Sequence, residues 1–148
     1  MNPLDDPATY ALDRDGMFGH IRRVGGEFLS AYRATVSLSA PAGAAGATGM
    51  VIAGVGGSAT AADYFAAACR AETTIPIEVL RGHTLPNYVR ARTFVVVCSY
   101  SGDTEEALSC YTDAMARGAC VLVIARAGEL TRRAAEFVKV VQAFRANG

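Results

Sequence analysis

The feature that most limits what this chain can become is a strand-length run that passes directly into a helix. Residues 93–98, Thr-Phe-Val-Val-Val-Cys, are apolar and β-branched. Ser99-Tyr100-Ser101-Gly102-Asp103-Thr104-Glu105-Glu106 follows, and then a helical pattern over 104–117 carrying Leu108, Tyr111 and Met115. Such residues favour a pleated backbone first and a helix afterwards. The unit recurs along the chain. Residues 49–55 form another apolar run, and the glycine-rich turn at 54–58 opens a helix bearing Ala61, Ala62, Phe65, Ala66 and Cys69. A short strand around 75–80 precedes an irregular link containing Leu85-Pro86. A strand over 120–125, a helix over 128–136 and a last strand over 138–141 complete the pattern. Strands that alternate with helices and read apolar throughout are parallel and covered on both faces. The expected fold is therefore α/β, a three-layer αβα sandwich on a five-stranded parallel sheet, with right-handed crossovers.

The N-terminal part reads differently. Residues 1–15 are an irregular lead-in, and from Gly16 a helical pattern runs through Phe18, Ile21, Val24, Phe28, Leu29 and Tyr32. Gly25-Gly26 weakens its middle by about 1 kcal/mol per glycine, which leaves a kink or a break open there. An Ala/Gly/Ser/Pro-rich loop spans 37–48. The expected organisation is a lead-in and helix over 1–40, followed by a single α/β domain over 41–148.

Composition narrows the function classes. A chain of 148 residues, 51% apolar and 19% charged, can build one core. No apolar run reaches the ~18–20 residues that span a bilayer. The start, Met-Asn-Pro-Leu-Asp-Asp, has no basic segment leading into an apolar one, so a cytoplasmic location is expected. Fourteen basic and fourteen acidic side chains balance, which argues against nucleic-acid or polybasic membrane binding. Cys69, Cys98, Cys110 and Cys120 form no C-x-x-C pair and read as small reduced thiols, not as a disulfide or metal framework.

The chemistry concentrates at two turns. Ser99, Ser101, Gly102 and Thr104 fall where a strand becomes a helix, and there the first helical N–H groups and the positive dipole end converge. Hydroxyl donors and a glycine at that point suit a phosphate dianion. Asp103 reads as the N-cap with Glu106 three residues on, and Glu105 and Glu106 should face outward or bond backbone. Capping does not account for the three hydroxyls together. Gly54-x-Gly56-Gly57-Ser58 is a second corner of this kind. Its residues also fit a dinucleotide turn, although no third glycine completes that motif, with Glu78 as a loose acidic partner. The plainer alternative to an anion-receptive corner is a tight helix–sheet contact with Ser58 as N-cap. In open parallel sheets ligands sit at the carboxyl ends of strands, near the point where strand order reverses, and both turns fall there. His83 lies in a loop after a strand and His20 on the N-terminal helix. Arg81, Arg90, Arg92 and Arg126 read as solvated charges, and no Ser-His-Asp arrangement or metal cluster is evident.

Gly54-Val55-Gly56-Gly57-Ser58-Ala59 and the Ser99–Glu106 string resemble the two phosphosugar-binding loops of SIS (sugar isomerase) domains. Together with residues 81–89 and 13–17 they resemble the N-terminal SIS domain of bifunctional phosphoglucose/phosphomannose isomerases, over about residues 10–142. The resemblance implies a flavodoxin-like fold and no cofactor. It implies Ser58, Ser99, Ser101 and Thr104 as phosphate ligands, with Gly56 and Gly57 shaping the loop. The substrate would be glucose-6-phosphate, mannose-6-phosphate or fructose-6-phosphate. Isomerisation would move a proton between C1 and C2 through an enediol, using a carboxylate base. In such enzymes the base and a ring-opening histidine lie beyond the first SIS domain, so this chain is expected to be incomplete as a catalyst on its own. His83 and Arg145, the latter in a remnant of the family's proline-arginine segment, remain as local candidates. The resemblance also implies pairing, as a homodimer or with a second SIS domain. The alternative is a non-catalytic sugar-phosphate-binding or regulatory SIS module.

Overall fold

The computed structural model of the chain describes residues 13–125. The chain divides into two units, Met1–Leu38 and Ser39–Gly148.

Among the described residues of the first unit there is one helix, α1, Met17–Thr35. Asp13 starts it: its carboxylate oxygens accept the N–H groups of Met17 and Phe18, both at 2.7 Å. Gly25-Gly26 does not interrupt it, and the helix runs unbroken for 19 residues. Its apolar residues recur at helical spacing, and the helix buries none of its residues.

The second unit contains β1 (Gly49–Ala53), α2 (Gly56–Cys69), β2 (Ile77–Leu80), β3 (Thr93–Ser99), α3 (Glu105–Ala116) and β4 (Cys120–Ala125), with a short 3-10 turn at Ala44–Gly46 before β1. All pairings are parallel, in the order β2-β1-β3-β4. The described sheet thus has four strands where five are expected. The helix over 128–136 and the fifth strand over 138–141 lie outside the described residues. Among the described residues no helix is long and apolar enough to cross a membrane.

The two-residue period of the strands sorts their side chains onto two faces. On one, Val51, Ala53, Val95, Val97, Val121 and Val123 pack with Ala107, Cys110, Tyr111 and Ala114 of α3 and with Leu85 and Val89. On the other, Ile52, Phe94 and Val96 pack with Ala62 of α2. Strand β3 sits centrally and buries six of its seven residues, which explains why its sequence reads as one apolar run. All four cysteines are free thiols. Burial pushes the Cys98 thiol up to about 11, and burial with the nearby carboxylates of Asp113 and Glu106 does the same for Cys110. Neither is a reactive thiolate at neutral pH.

The loop carrying Leu85 is pinned to α3 by an ion pair. Arg117 donates to both carboxylate oxygens of Asp113 at 2.7 Å, and to the carbonyls of Pro86 and Leu85 at 2.7 and 3.3 Å. Asp113 Oδ2 accepts the Leu85 N–H at 3.3 Å. These bonds are charge-assisted and partly sheltered. Arg117→Ala should therefore lower unfolding free energy by about 2 kcal/mol, read as a lower urea midpoint with an unchanged slope. A midpoint within error of wild type would show that the clamp contributes nothing.

Candidate functional site

The site is built where the two halves of the sheet diverge. From β1 the chain passes through α2 to β2 on one side, and from β3 through α3 to β4 on the other. α2 and α3 consequently pack on opposite faces. Between the carboxyl ends of β1 and β3 this divergence leaves a crevice, the position where open parallel sheets hold ligands.

Glycines set its shape. Ala53 pairs with Val97, so Gly54 stands beside Cys98. A Cβ on Gly54 would lie 3.1 Å from the Cys98 carbonyl oxygen and 3.2 Å from Ser58 Cβ. The missing side chain lets the first turn of α2 close onto the end of β3. Gly56 and Gly102 have φ of 55° and 80°, the left-handed region that glycine enters without strain. Each of the two loops thus turns on one such glycine.

Helix α2 starts at Gly56, so Gly56, Gly57 and Ser58 form its first turn. The alternative in which Ser58 serves as N-cap does not hold: Val55 has that position, and no side chain caps the helix. The reason is that the glycine turn itself becomes helical. The expectation of Asp103 as N-cap of α3 is corrected too. Thr104 holds that position, again with no side-chain cap. Its Oγ1 is engaged elsewhere, 2.8 Å from Ser99 Oγ and 3.3 Å from Ser101 Oγ. The opening N–H groups of both helices therefore meet the crevice without a capping side chain, each with its positive dipole end.

The three hydroxyls form a hydrogen-bonded chain. Ser99, the last residue of β3, is 2% exposed, and its Oγ accepts the Gly102 N–H at 3.1 Å. Ser99 Oγ also shares a hydrogen bond with Thr104 Oγ1 in which either hydroxyl can donate. Thr104 can in turn donate to Ser101, whose Oγ also accepts the Asp103 N–H at 3.3 Å. Each hydroxyl has one proton and two lone pairs. With Ser99 donating to Thr104 and Thr104 to Ser101, the exposed Ser101 keeps its own O–H to give, strengthened by the donors behind it. The arrangement can present hydroxyl and backbone N–H donors to an anion.

The structure brings Ser99, Ser101 and Thr104 into one hydrogen-bonded group, and sets Ser58, Gly56 and Gly57 in the facing turn across the close contact at Gly54. It does not bring His83 among the hydroxyls. His83 follows the edge strand β2 and lies on the flank of α3, with Nε2 3.8 Å from Glu106 Oε1 and its carbonyl accepting Ser109 Oγ at 2.7 Å. His20 is on α1 beside Arg23. Arg126 and Arg145 lie outside the described residues. Sequence reasoning missed Gly54 as the pivot of the crevice, whose contact with Cys98 leaves no local trace. It also missed the Asp113–Arg117 clamp, whose four-residue spacing was a usable signal. Beside the crevice opens a cavity of about 660 Å³, with Ser58, Ser99 and Tyr100 at one end. Met50, Ile52, Phe65, Phe94, Val96, Leu122 and Ile124 give it an apolar lining.

No protein-family model matches the chain. It is 36% identical over 114 residues, 77% of its length, to a bifunctional phosphoglucose/phosphomannose isomerase of Caldicellulosiruptor bescii, of which it covers 34%. A second protein of that name, from Thermoplasma acidophilum, is 35% identical over 91 residues, 62% of this chain and 28% of the relative. The chain spans about a third of the length of the curated relatives it matches. Among solved structures, a candidate phosphosugar isomerase of Clostridium difficile 630 superposes with a TM-score of 0.59 at 13% identity, over 81% of this chain and 34% of the other. The tagatose-6-phosphate ketose/aldose isomerase of Escherichia coli gives 0.51 at 15%, over 82% and 36%. At these identities the two structures establish a shared α/β fold.

Proposed function

We propose that this chain, which resembles the first SIS domain of the bifunctional phosphoglucose/phosphomannose isomerases, holds a phosphorylated sugar in the crevice between β1 and β3. The phosphate sits against the hydroxyls of Ser58, Ser99, Ser101 and Thr104, and Gly56 and Gly57 let it approach the opening turn of α2. One observation carries this reading: two helix starts without side-chain caps flank a hydrogen-bonded chain of three hydroxyls whose outer member, Ser101, is exposed. A dianion matches that donor set, because charge-assisted bonds to N–H and O–H groups are about twice as strong as neutral ones.

In this reading the chain supplies the phosphosugar-holding part of a glucose-6-phosphate/mannose-6-phosphate aldose–ketose isomerase, acting with fructose-6-phosphate in the reverse direction. It works in association with a second copy or a second SIS domain, in a reducing cytoplasm where its four thiols stay free. A second reading, a sugar-phosphate-binding module without turnover, is favoured by the chemistry of the assembled groups. Hydroxyls and N–H groups stabilise an anion but do not abstract a carbon-bound proton.

Calorimetric titration and thermal melting with fructose-6-phosphate, glucose-6-phosphate and inorganic phosphate test the site. A ligand at 100 times its dissociation constant adds about 2.7 kcal/mol of apparent stability. Ser101→Ala should weaken sugar-phosphate binding about tenfold, the worth of one charge-assisted bond. It should leave the unliganded melting temperature unchanged, because Ser101 is exposed. Absence of heat and of any melting shift at millimolar sugar phosphate would overturn the reading. Turnover by the chain, lost in the same variant, would decide for the enzyme over the module.

A further inference from the structure

Strand β3 alternates its side chains between the two faces of the sheet. Phe94, Val96 and Cys98 belong to the face that carries α2, and Tyr100 continues that series two residues on. Its neighbours in the chain, Ser99 and Ser101, instead turn into the hydroxyl chain with Thr104. Tyr100 is 74% exposed, and a single exposed aromatic is ordinary on a protein surface. Its surroundings are what set it apart. Tyr100 lines the same cavity as Ser58 and Ser99. The close contact at Gly54 explains that juxtaposition. A Cβ there would lie 3.2 Å from Ser58 Cβ and 3.1 Å from the Cys98 carbonyl oxygen, so the first turn of α2 lies against the end of β3. The turn leaves room beside it, because a Cβ on Gly56 or Gly57 would meet nothing within 4 Å.

We propose that Tyr100 is the sugar-recognising residue of this site, its ring forming a wall against which the carbon skeleton of a hexose phosphate packs. The inference rests on the phosphate site proposed above and names what reads the rest of the ligand. Hydroxyl and N–H donors treat every phosphate monoester alike. The remainder of a hexose phosphate is a ring with C–H groups on its faces and hydroxyls around its rim. Small-molecule sites meet such a ligand with a few placed polar groups and an aromatic or apolar wall. Tyrosine suits the wall, since covering its ring immobilises only two torsions. A phosphate anchored at Ser58, Ser99 and Ser101 keeps its sugar within reach of Tyr100, which stands between two of those anchors in the chain. The site then discriminates by the ring and not by the phosphate.

Calorimetric titration of wild type, Tyr100→Phe and Tyr100→Ala with glucose-6-phosphate, glycerol-3-phosphate and inorganic phosphate is the test. Tyr100→Ala should weaken glucose-6-phosphate binding about tenfold, the worth of one aromatic contact. It should change the affinity for the two ligands without a ring by less than about twofold, since their donors are untouched. Tyr100→Phe keeps the ring and should stay within about threefold of wild type for all three. Damage to the turn would weaken every ligand alike, so the ratio of affinities reports the wall itself. A Tyr100→Ala chain that keeps the wild-type preference for glucose-6-phosphate overturns the proposal, as does an equal loss on all three ligands. Wild type that binds all three equally tightly also overturns it, while leaving the phosphate site standing. Wild type that binds none of them removes the phosphate site, and this inference with it.

Discussion

Replacing Ser99 with alanine should lower the stability of the unliganded chain by about 2 kcal/mol and weaken sugar-phosphate binding at least 30-fold. The first figure follows from burial. Ser99 Oγ is nearly inaccessible and accepts the buried Gly102 N–H. An N–H stranded away from water costs about 1–3 kcal/mol. The second follows from the hydroxyl chain. Without Ser99, Thr104 loses its 2.8 Å partner and is free to turn back and cap α3, which consumes a donor the anion needs. Urea denaturation reads the stability, and calorimetry with fructose-6-phosphate reads the affinity. The contrast with Ser101→Ala is diagnostic, since that variant should lose affinity alone. A Ser99→Ala chain that binds as tightly as wild type would remove the hydroxyl chain from any account of binding.

Gly54→Val should be costlier for the fold, by about 3 kcal/mol, and should take binding below detection. A side chain at this position meets a backbone carbonyl at 3.1 Å and the Cβ of Ser58 at 3.2 Å. Neither atom is the end of a flexible side chain, so α2 or β3 has to move. Gly54→Ala should show the same direction at about half the magnitude. Gly57 is the control for stability, because a Cβ there has nothing within 4 Å. Gly57→Ala should therefore leave the urea midpoint unchanged or slightly raised. If Gly54→Val melts like wild type, the crevice is looser than its geometry implies.

How far the sequence could be read depended on the range of each interaction. Strands β1, β3 and β4 lie where apolar, β-branched runs place them, because burial on both faces writes itself into consecutive residues. The turns at 54–58 and 99–104 were visible for a related reason: glycine and hydroxyl clusters mark where a strand must become a helix. The caps were not visible. Asp103 and Thr104 are both capable N-caps, and only the position of Ser99 Oγ decides that Thr104 takes the boundary while its hydroxyl turns away. Gly54 behaves likewise, since its reason for being glycine is the carbonyl of Cys98, far along the chain. Gly25-Gly26 shows the opposite limit. Two unfavourable residues did not break α1, whose start is fixed by the Asp13 carboxylate.

The contact between Gly54 and Cys98 also bears on how the chain folds. The two turns of the crevice lie on strands separated by a helix, a strand and a long link, so neither turn has its final partner until β1 and β3 are side by side. Contacts of such sequence separation close late, and interactions absent from the transition state act on the rate of unfolding. An anion held across this seam would slow the opening of the native chain and leave its rate of formation nearly untouched, so that its protection would be measured as a lifetime.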